Sequence, residues 1–282
     1  MILFVFEGSV REPLLFNTIQ KLFLPKETEP FVCTYNSNIY SLYAKLKQYD
    51  VFDDIQTSGN TVSILNEILE SKGDHTLSNI IVSDVSQIYL FFDYDFHESR
   101  YTLDDNNIHI QEMLDFFCDE TDNGKLYINY PMVDAIRYTK QLPDNNYLSY
   151  TVARNVCKQF KRIVSDFSFY PSFDFLLISN NDNEKEESKE RRLMIARENW
   201  IHLIRMNVNK ANYLCNDIEL LPHSVDDIKQ RIIFKNQLKK FVNTENCCVS
   251  ILNAFPSHLH VCGSGSLKTS VVFSLLRLCR QR

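Results

Sequence analysis

A chain of 282 residues with a net charge of −6 can form one large domain or two of ordinary size. Its 44% hydrophobic and 23% charged residues are typical of a globular protein and exclude a disordered chain. No segment reaches the roughly 18 consecutive apolar residues of a membrane span, and the N-terminal apolar run is too short for a signal peptide. The eight cysteines form no CxxC pair, which favours free thiols. We therefore expect a cytoplasmic protein that does not bind membranes.

The charge is divided unevenly along the chain. Residues 1–150 hold 23 acidic and 10 basic residues, whereas residues 151–282 hold 13 acidic and 20 basic ones. The net charges of −13 and +7 suggest carboxylates for metal binding in the first part and a surface for a polyanion in the second. The alternative is that the helical surfaces of the two parts simply differ in charge.

In the first half, apolar runs alternate with segments of helical periodicity. This alternation predicts a mostly parallel sheet of about four strands with right-handed crossovers. The predicted strands are 1–8, 31–35, 88–92 and 126–128. The predicted helices are 11–23, 39–46 with a cap among residues 36–38, 61–69, 108–117, and one that begins at Pro131 and runs through Arg137.

After about residue 145, helical periodicity dominates and the polar faces carry Lys and Arg. The predicted helices are 147–167, 186–205, 208–220 and 224–242, with 173–179 as a candidate strand. We therefore predict an α/β catalytic domain over 1–142 and a helical, basic domain over 143–262. Residues 263–282 form a basic tail that follows a glycine-serine run, and the sequence leaves its nature open.

Acidic residues follow two of the predicted strands. Glu7 comes directly after the apolar run 2–6, and Asp93 and Asp95 come after the apolar run 88–92. Runs that are apolar at every position indicate strands buried on both faces, and carboxylates at their ends lie where open α/β sheets place ligands. Carboxylates that converge there repel each other unless a cation intervenes, and Mg²⁺ or Mn²⁺ prefers oxygen ligands.

The pair Glu7-Gly8 followed by Asp93-x-Asp95 resembles the Toprim arrangement of topoisomerases, primases and OLD-family nucleases. The resemblance covers roughly residues 1–140. It implies a Toprim-like fold in which Glu7, Asp93 and Asp95 hold Mg²⁺ or Mn²⁺ and cleave phosphodiester bonds, with Glu7 as a ligand or a general base.

Three further acids resemble second-tier positions of the RloB and OLD type. Glu12 resembles the second acid of a first motif in which Ser9 and Arg11 here replace Glu and Thr. Glu98 resembles a further acid of the OLD nuclease site. Asp134 stands where RloB-like proteins carry a Glu after an Asn-Pro segment, and it is one methylene shorter. The resemblance implies that these three acids also contribute to metal binding.

The resemblance also implies a biological setting. The architecture is similar to that of the Toprim nuclease subunit of the PARIS anti-phage system, which works with an ATPase. We therefore expect a defence nuclease that acts on DNA, tRNA or another RNA under the control of an ABC- or AAA-type ATPase; whether it forms a homodimer is left open. The basic residues that we expect to contact nucleic acid are Lys158, Lys161, Arg162, Lys239 and Lys240.

Two other functions fit parts of the sequence. An Asp-x-Asp after an apolar strand is also found in phosphatases of the haloacid-dehalogenase kind, although His97 replaces the usual Thr or Val and Glu7 would have no role. A non-catalytic Toprim-like module that binds nucleic acid or a protein through its basic half is the second alternative.

Overall fold

The apolar runs of the first half form the strands of one sheet. A computed structural model describes residues 1–24, 30–52, 61–178 and 185–262. The strands of this sheet are β1 (Ile2–Phe6), β2 (Pro30–Thr34), β3 (Gln87–Asp93), β4 (Cys118–Asp119) and β5 (Gly124–Asn129). Their order is β2-β1-β3-β5-β4, and only the short β4 runs antiparallel to its neighbour. The predicted α/β class with a mostly parallel sheet is confirmed.

Helices cover the sheet because each presents an apolar stripe to it. Those of the first half are α1 (Arg11–Phe23), α2 (Ile39–Lys47), α3 (Thr61–Glu70) and α4 (Leu103–Phe116). Asn38 begins α2 by accepting a hydrogen bond from the Ser41 N–H at 3.0 Å, as a side chain at an N-cap does. The helix predicted at Pro131 is wrong: a single 3₁₀ turn, Val133–Arg137, stands there.

The second half is mainly helical, as predicted, but its elements differ. The predicted helix 147–167 is wrong. This region instead contains strand β6 (Thr151–Ala153), followed by two short helices, α5 (Arg154–Cys157) and α6 (Phe160–Phe167). The two helices predicted over 186–205 and 208–220 are one helix, α7 (Glu186–Asn216). Residues 173–178 form no strand.

The region 224–242 contains three helical pieces rather than one. They are a 3₁₀ turn (Val225–Ile228), α8 (Gln230–Gln237) and a π-helical turn (Leu238–Val242). Two further elements were not predicted, β7 (Cys248–Ser250) and α9 (Ala254–Cys262). Strand β7 pairs antiparallel with β6 in a second, two-stranded sheet.

The C-terminal end of the described chain returns to the main sheet. Tyr130 and Leu252 exchange backbone hydrogen bonds of 2.7 and 3.0 Å. The ring of Phe255 in α9 stacks on that of Phe91 in β3, with ring centroids 4.7 Å apart. One hydrophobic cluster therefore runs through both halves of the sequence, and the predicted boundary at residue 142 stays a prediction. The tail 263–282 lies outside the described residues.

Candidate metal and active site

The strand order places a topological switch point at the carboxyl ends of β1 and β3, and we call the region at these two strand ends the acidic crevice. The chain leaves β1 for β2 on one side and then crosses to β3 on the other side. Open α/β sheets bind ligands at such a switch point, outside the carboxyl ends of the strands. Glu7 follows β1 directly, and Asp93 ends β3. The topology therefore brings the first acid and the Asp-x-Asp pair to the same edge.

Glu7 and Asp93 are held beside each other by backbone contacts. The Glu7 N–H donates to the Phe91 carbonyl at 3.0 Å, which continues the pairing of β1 with β3. The Glu7 carboxylate then accepts the Asp93 N–H at 2.9 Å. This contact places the Glu7 carboxylate at the Asp93 backbone, and the Glu7 charge is near enough to raise the pKa of Asp93.

Asn129 orients the Asp93 carboxylate. The two residues are directly opposite each other in the register of β3 and β5. The Asn129 side-chain amide donates to Asp93 Oδ1 at 3.0 Å, and its own oxygen accepts the Ala254 N–H at 2.9 Å. Since Asn129 ends β5 as Asp93 ends β3, the assumption of a parallel sheet could have assigned it to the site. Our sequence analysis did not do so.

Gly8 lets Glu12 approach the same crevice. A Cβ atom at position 8 would lie 2.8 Å from Glu12 Oε2, so a larger residue there would require the Glu12 side chain to shift. The Glu12 carboxylate is buried, and the nearby backbone of Gly8 and of Glu12 itself partly offsets the rise in its pKa that burial causes. The Glu-Gly pair therefore has a local physical reason, namely that glycine makes room for the second acid.

Asp95 lies in a tight turn after β3. Its φ of 46° is in the left-handed region, which Asp tolerates better than most residues. The turn is fixed by two backbone hydrogen bonds, from the Asp95 N–H to Pro131 O at 3.2 Å and from the Glu98 N–H to Asp95 O at 2.7 Å. Arg154 braces the turn from outside, donating to Phe96 O at 3.1 Å and Glu98 O at 3.4 Å. Arg154 is a second residue that the sequence analysis missed.

The four acids of this crevice have perturbed ionisation. Burial raises the pKa of Asp93 well above its ordinary value, and the charges of Glu7, Asp95 and Glu12 raise it further. Burial also raises the pKa of Glu7 well above its ordinary value, and Asp95 adds to the effect. The pKa values of Asp95 and Glu12 are raised by burial as well. Burial and, for Glu7 and Asp93, mutual repulsion therefore oppose full ionisation of these acids, and a bound cation would favour their ionised forms.

This donor set suits a hard divalent cation, although the side chains do not surround one as they stand. Within the described ranges, no three His, Cys, Asp or Glu side chains are grouped closely enough to hold a metal ion. The Glu7 carboxylate is turned to the Asp93 amide, and Asp93 is turned to Asn129. Side-chain rotations of Glu7, Asp93 and Asp95 would be required for coordination. Carboxylate oxygens are the ligands that Mg²⁺ and Mn²⁺ prefer, and a cation would offset the repulsion that raises the pKa values of these acids.

The structure places Glu98 beside the crevice but occupies its carboxylate. Burial opposes its ionisation, but the backbone N–H groups of Arg100 and Ser99 and the Arg100 guanidinium outweigh it and lower the pKa of Glu98. Asn38 also donates to Glu98 Oε2 at 3.1 Å. These contacts favour a structural role, in which Glu98 closes the turn that carries Asp95.

Asp134 is bound by two arginines. Its side chain is fully buried, and its oxygens accept from Arg11 Nη1 and from the Nε and Nη2 of Arg137, the latter two at 3.2 and 3.0 Å. A carboxylate with two guanidinium partners has little remaining capacity to bind a cation. The contacts therefore favour a role for Asp134 in holding Arg11 beside Glu12, and its metal-binding role stays a prediction.

The predicted basic residues divide into two groups. Lys161, at the start of α6, is exposed, and its charge lowers the pKa of both Glu7 and Asp95. Lys158 and Arg162 are exposed on the same short stretch. Lys240 is instead paired with Asp217 Oδ1 at 2.6 Å, and Lys239 is exposed next to it. Only the group around α6 has a described electrostatic link to the acids.

Comparisons of the chain with family models, curated proteins and solved structures find no match. The Toprim resemblance therefore depends on Glu7-Gly8, on Asp93-x-Asp95 and on the strand order that brings them together. Among the described residues, no helix is both long enough and apolar enough to cross a membrane.

Proposed function

We propose that this protein is a metal-dependent nuclease of Toprim type. Mg²⁺ or Mn²⁺ would be held by Glu7, Asp93 and Asp95, with Glu12 beside them. The observation that carries the proposal is that these buried and half-buried acids lie at the switch point of the sheet, where burial raises their pKa values and the charge of Asp95 adds to the rise for Glu7 and Asp93. Acids that are buried and repel one another cost stability, and groups with strongly shifted pKa values are concentrated at functional sites.

The chemistry assigns a role to each acid. A divalent cation supplies charge stabilisation at the attacked phosphate and an activated water. Asp93 and Asp95 are proposed as its ligands. Glu7 is a further ligand or the base that takes the proton of the attacking water, for which its raised pKa is suited. Asn129 keeps the Asp93 carboxylate in place through its hydrogen bond.

The substrate is proposed to be a nucleic acid, DNA or RNA. An acidic crevice repels a phosphodiester, so cations beside it are needed to bring the substrate in. Lys161 supplies one such cation, and Lys158 and Arg162 are exposed close to it in sequence. Phosphate contacts of this kind determine affinity and position rather than base sequence.

We also propose that the nuclease acts in anti-phage defence under the control of an ATPase partner in the cytoplasm. This part rests on the resemblance to the PARIS nuclease subunit. An unrestrained nuclease would damage the host, which is a physical reason to expect a controlling partner.

Cleavage assays test the proposal. Purified protein is incubated with single-stranded DNA, duplex DNA and tRNA in Mg²⁺, Mn²⁺ or EDTA, and the same set is repeated in extracts of phage-infected cells that supply an activating partner. We expect metal-dependent cleavage by the wild type and none by Asp95→Asn. The control Asp119→Asn, which changes an acid of β4 at the opposite end of β5 from Asn129, should cleave like the wild type. Equal cleavage by Asp95→Asn, or inactivity of the wild type under every condition, would contradict the proposal.

A further inference from the structure

An exposed aromatic ring lies just beyond the end of α6, the helix that carries Lys161 in its first turn. Phe169, two residues after α6 ends, is 70% exposed, which is more than any other phenylalanine among the described residues. Single exposed apolar side chains are common on protein surfaces and need no explanation by themselves. The surroundings of Phe169, however, combine rigidity, positive charge and a connection to the acids.

The backbone on both sides of Phe169 is fixed. The Ser168 hydroxyl is buried, donates to Arg137 O at 2.6 Å and accepts the Tyr170 N–H at 2.9 Å. The Tyr170 ring stacks on Phe175 with ring centroids 4.2 Å apart. Phe169 is therefore held outward by anchored neighbours, so that little conformational entropy is lost when a ligand stacks on it.

A lysine lies over this aromatic surface. The Lys140 Nζ is 5.6 Å from the ring centroid of Phe169 and 4.7 Å from that of Phe167. Lys140 is exposed and has no ion pair with a carboxylate among the described residues. With Lys140 over one face of the ring and Phe169 still 70% exposed, a phosphate contact and ring surface for stacking lie within the same few ångströms.

Direct contacts connect this surface to the acidic crevice. The Arg137 guanidinium, which binds Asp134, also donates to Pro171 O at 3.0 Å. Arg11, the other partner of Asp134, lies 5.4 Å from the ring centroid of Phe173. Segment 165–173 therefore packs against the arginines beside Glu12, and α6 leads from Lys161 to Phe169.

The spacing fits a short piece of a single strand. Lys161 and Phe167 are separated by about 9 Å along the helix axis, and two extended residues add about 6 Å. This length corresponds to about two to four nucleotides, because an extended, unstacked strand spans roughly twice the 3.4 Å per nucleotide of a stacked one. Stacking on a side chain requires a base that is free of its neighbours, which a single strand offers and the interior of a duplex does not.

We propose that Phe169, Lys140 and Lys161 form a binding track for single-stranded nucleic acid, in which a base stacks on Phe169 and phosphates contact the two lysines. The track rests on the proposed function, because it supplies that site with its substrate. It narrows the substrate class to DNA or RNA that is single-stranded, at least locally, beside the scissile bond.

Binding measured without cleavage tests the track separately from the nuclease. Fluorescence anisotropy in EDTA at 50 mM salt measures the Kd of labelled 12-mer single strands of DNA and RNA and of the 12-bp DNA duplex. The wild type is expected to bind single strands more tightly than the duplex. Phe169→Ala is expected to weaken single-strand binding about 5- to 150-fold, the range of one base-to-aromatic stack, with little effect on the duplex.

Matched variants separate stacking from other effects. Phe169→Leu keeps an apolar side chain but loses the ring and should bind as weakly as Phe169→Ala, whereas Phe169→Trp should bind like the wild type. Ile81→Ala removes a side chain that is 64% exposed before β3, at the other edge of the sheet, and should leave Kd unchanged. Lys140→Gln should reduce the slope of log Kd against log salt by about 0.7, and Lys229→Gln should not.

The outcomes are decisive in both directions. Equal binding of duplex and single strands, wild-type affinity of Phe169→Leu, or a loss of the same size in Ile81→Ala would overturn the track. Phe169-dependent binding without any metal-dependent cleavage would support the track and count against the nuclease. Cleavage of duplexes that is lost in Asp95→Asn but indifferent to Phe169 would support the nuclease and overturn the track.

Discussion

Replacement of Asp93 by Asn should stabilise the metal-free protein while it removes the response to metal. The side chains have the same shape, and Oδ1 can still accept the hydrogen bond from Asn129 at 3.0 Å. The change removes a negative charge that is 9% exposed and lies beside Glu7. Asp93, the proposed metal ligand, is thus expected to cost stability, in contrast to an ordinary paired carboxylate.

The size of the effect follows from the geometry. A Glu7 oxygen lies 2.9 Å from the Asp93 nitrogen, which brings the two carboxylates to within about 6 Å of each other by covalent geometry. Two unit charges at that distance repel by about 3 kcal/mol at an effective dielectric constant of about 20. Since protonation of Asp93, whose pKa is raised by burial and by Glu7, relieves part of this repulsion, we expect a gain of about 1–3 kcal/mol, or roughly 2–10 °C in Tm.

The gain should depend on pH with a defined sign. Folding raises the pKa of Asp93, so its carboxyl adds stability below the unfolded pKa and loses that contribution as pH rises through the folded pKa. Asn has no such dependence. The Tm of Asp93→Asn should therefore exceed that of the wild type by an amount that grows from pH 5 to pH 8.

Thermal unfolding over this pH range, with and without 5 mM MnCl₂, measures both effects. The wild type should gain Tm with Mn²⁺, and more at higher pH because the ligands must lose protons, whereas Asp93→Asn should gain little. Asp119→Asn is the matched control: hydrogen bonds from Thr121 lower the pKa of Asp119, so its loss should slightly lower Tm with no trend over this range. An Asp93→Asn variant that is less stable than the wild type at every pH and is still stabilised by Mn²⁺ would refute the reasoning.

Three further predictions, made with five variants, test the residues that support the site. Arg137→Met leaves the fully buried Asp134 with one partner and should lower the free energy of unfolding, measured by chemical denaturation, by about 3 kcal/mol. Asp134→Asn should leave the Mn²⁺ affinity measured by calorimetry unchanged. A tenfold loss of that affinity would instead make Asp134 a ligand. Arg154→Ala removes the hydrogen bonds that hold the Asp95 turn and should reduce the cleavage rate at least tenfold with a small loss of Tm. Arg154→Lys should restore the rate only partly, because an ammonium group lacks the two-pronged geometry of the guanidinium. An unchanged cleavage rate in Arg154→Ala would contradict this role. Lys161→Gln should weaken nucleic-acid binding about equally for all sequences and reduce the salt slope by about 1, whereas an unchanged slope would remove Lys161 from the substrate path.

The first half of the fold could be predicted because its signals are local. Helix α1 has the predicted bounds, Arg11–Phe23, since its apolar residues recur at helical spacing. Strands β1 and β3 are apolar at nearly every position because both of their faces are covered. The acids at the ends of these two strands could be predicted as site residues because each one directly follows such an apolar run.

The second half depends on distant contacts that no local pattern reveals. Strand β6 exists because it pairs with β7, almost one hundred residues later. Helix α7 continues through residues 206–207, where the sequence suggested a break. There Asn207 is fully buried and accepts hydrogen bonds from the Tyr147 hydroxyl and the Asn253 N–H, both at 2.8 Å. A polar residue that looks like a helix boundary is here satisfied by tertiary partners.

Within the site, residue types could be predicted but their partners could not. Glu98 and Asp134 carry the carboxylates that a metal site needs, yet arginines engage both of them. Arg11 was noted only as a departure from a motif, whereas the structure shows it paired with Asp134. Arg154, an unremarkable arginine in the sequence, reaches the turn that carries Asp95 because β6 and α5 lie beside it.

Anomalous diffraction from a crystal soaked in MnCl₂ is the most direct test of the metal centre. We predict a manganese peak at the carboxyl ends of β1 and β3, with oxygen atoms of Glu7, Asp93 and Asp95 among its ligands after their side chains rotate, and no such peak in Asp93→Asn crystals. A saturating soak that leaves this crevice without manganese, or that places the ion on other residues, would contradict a metal-dependent active site here.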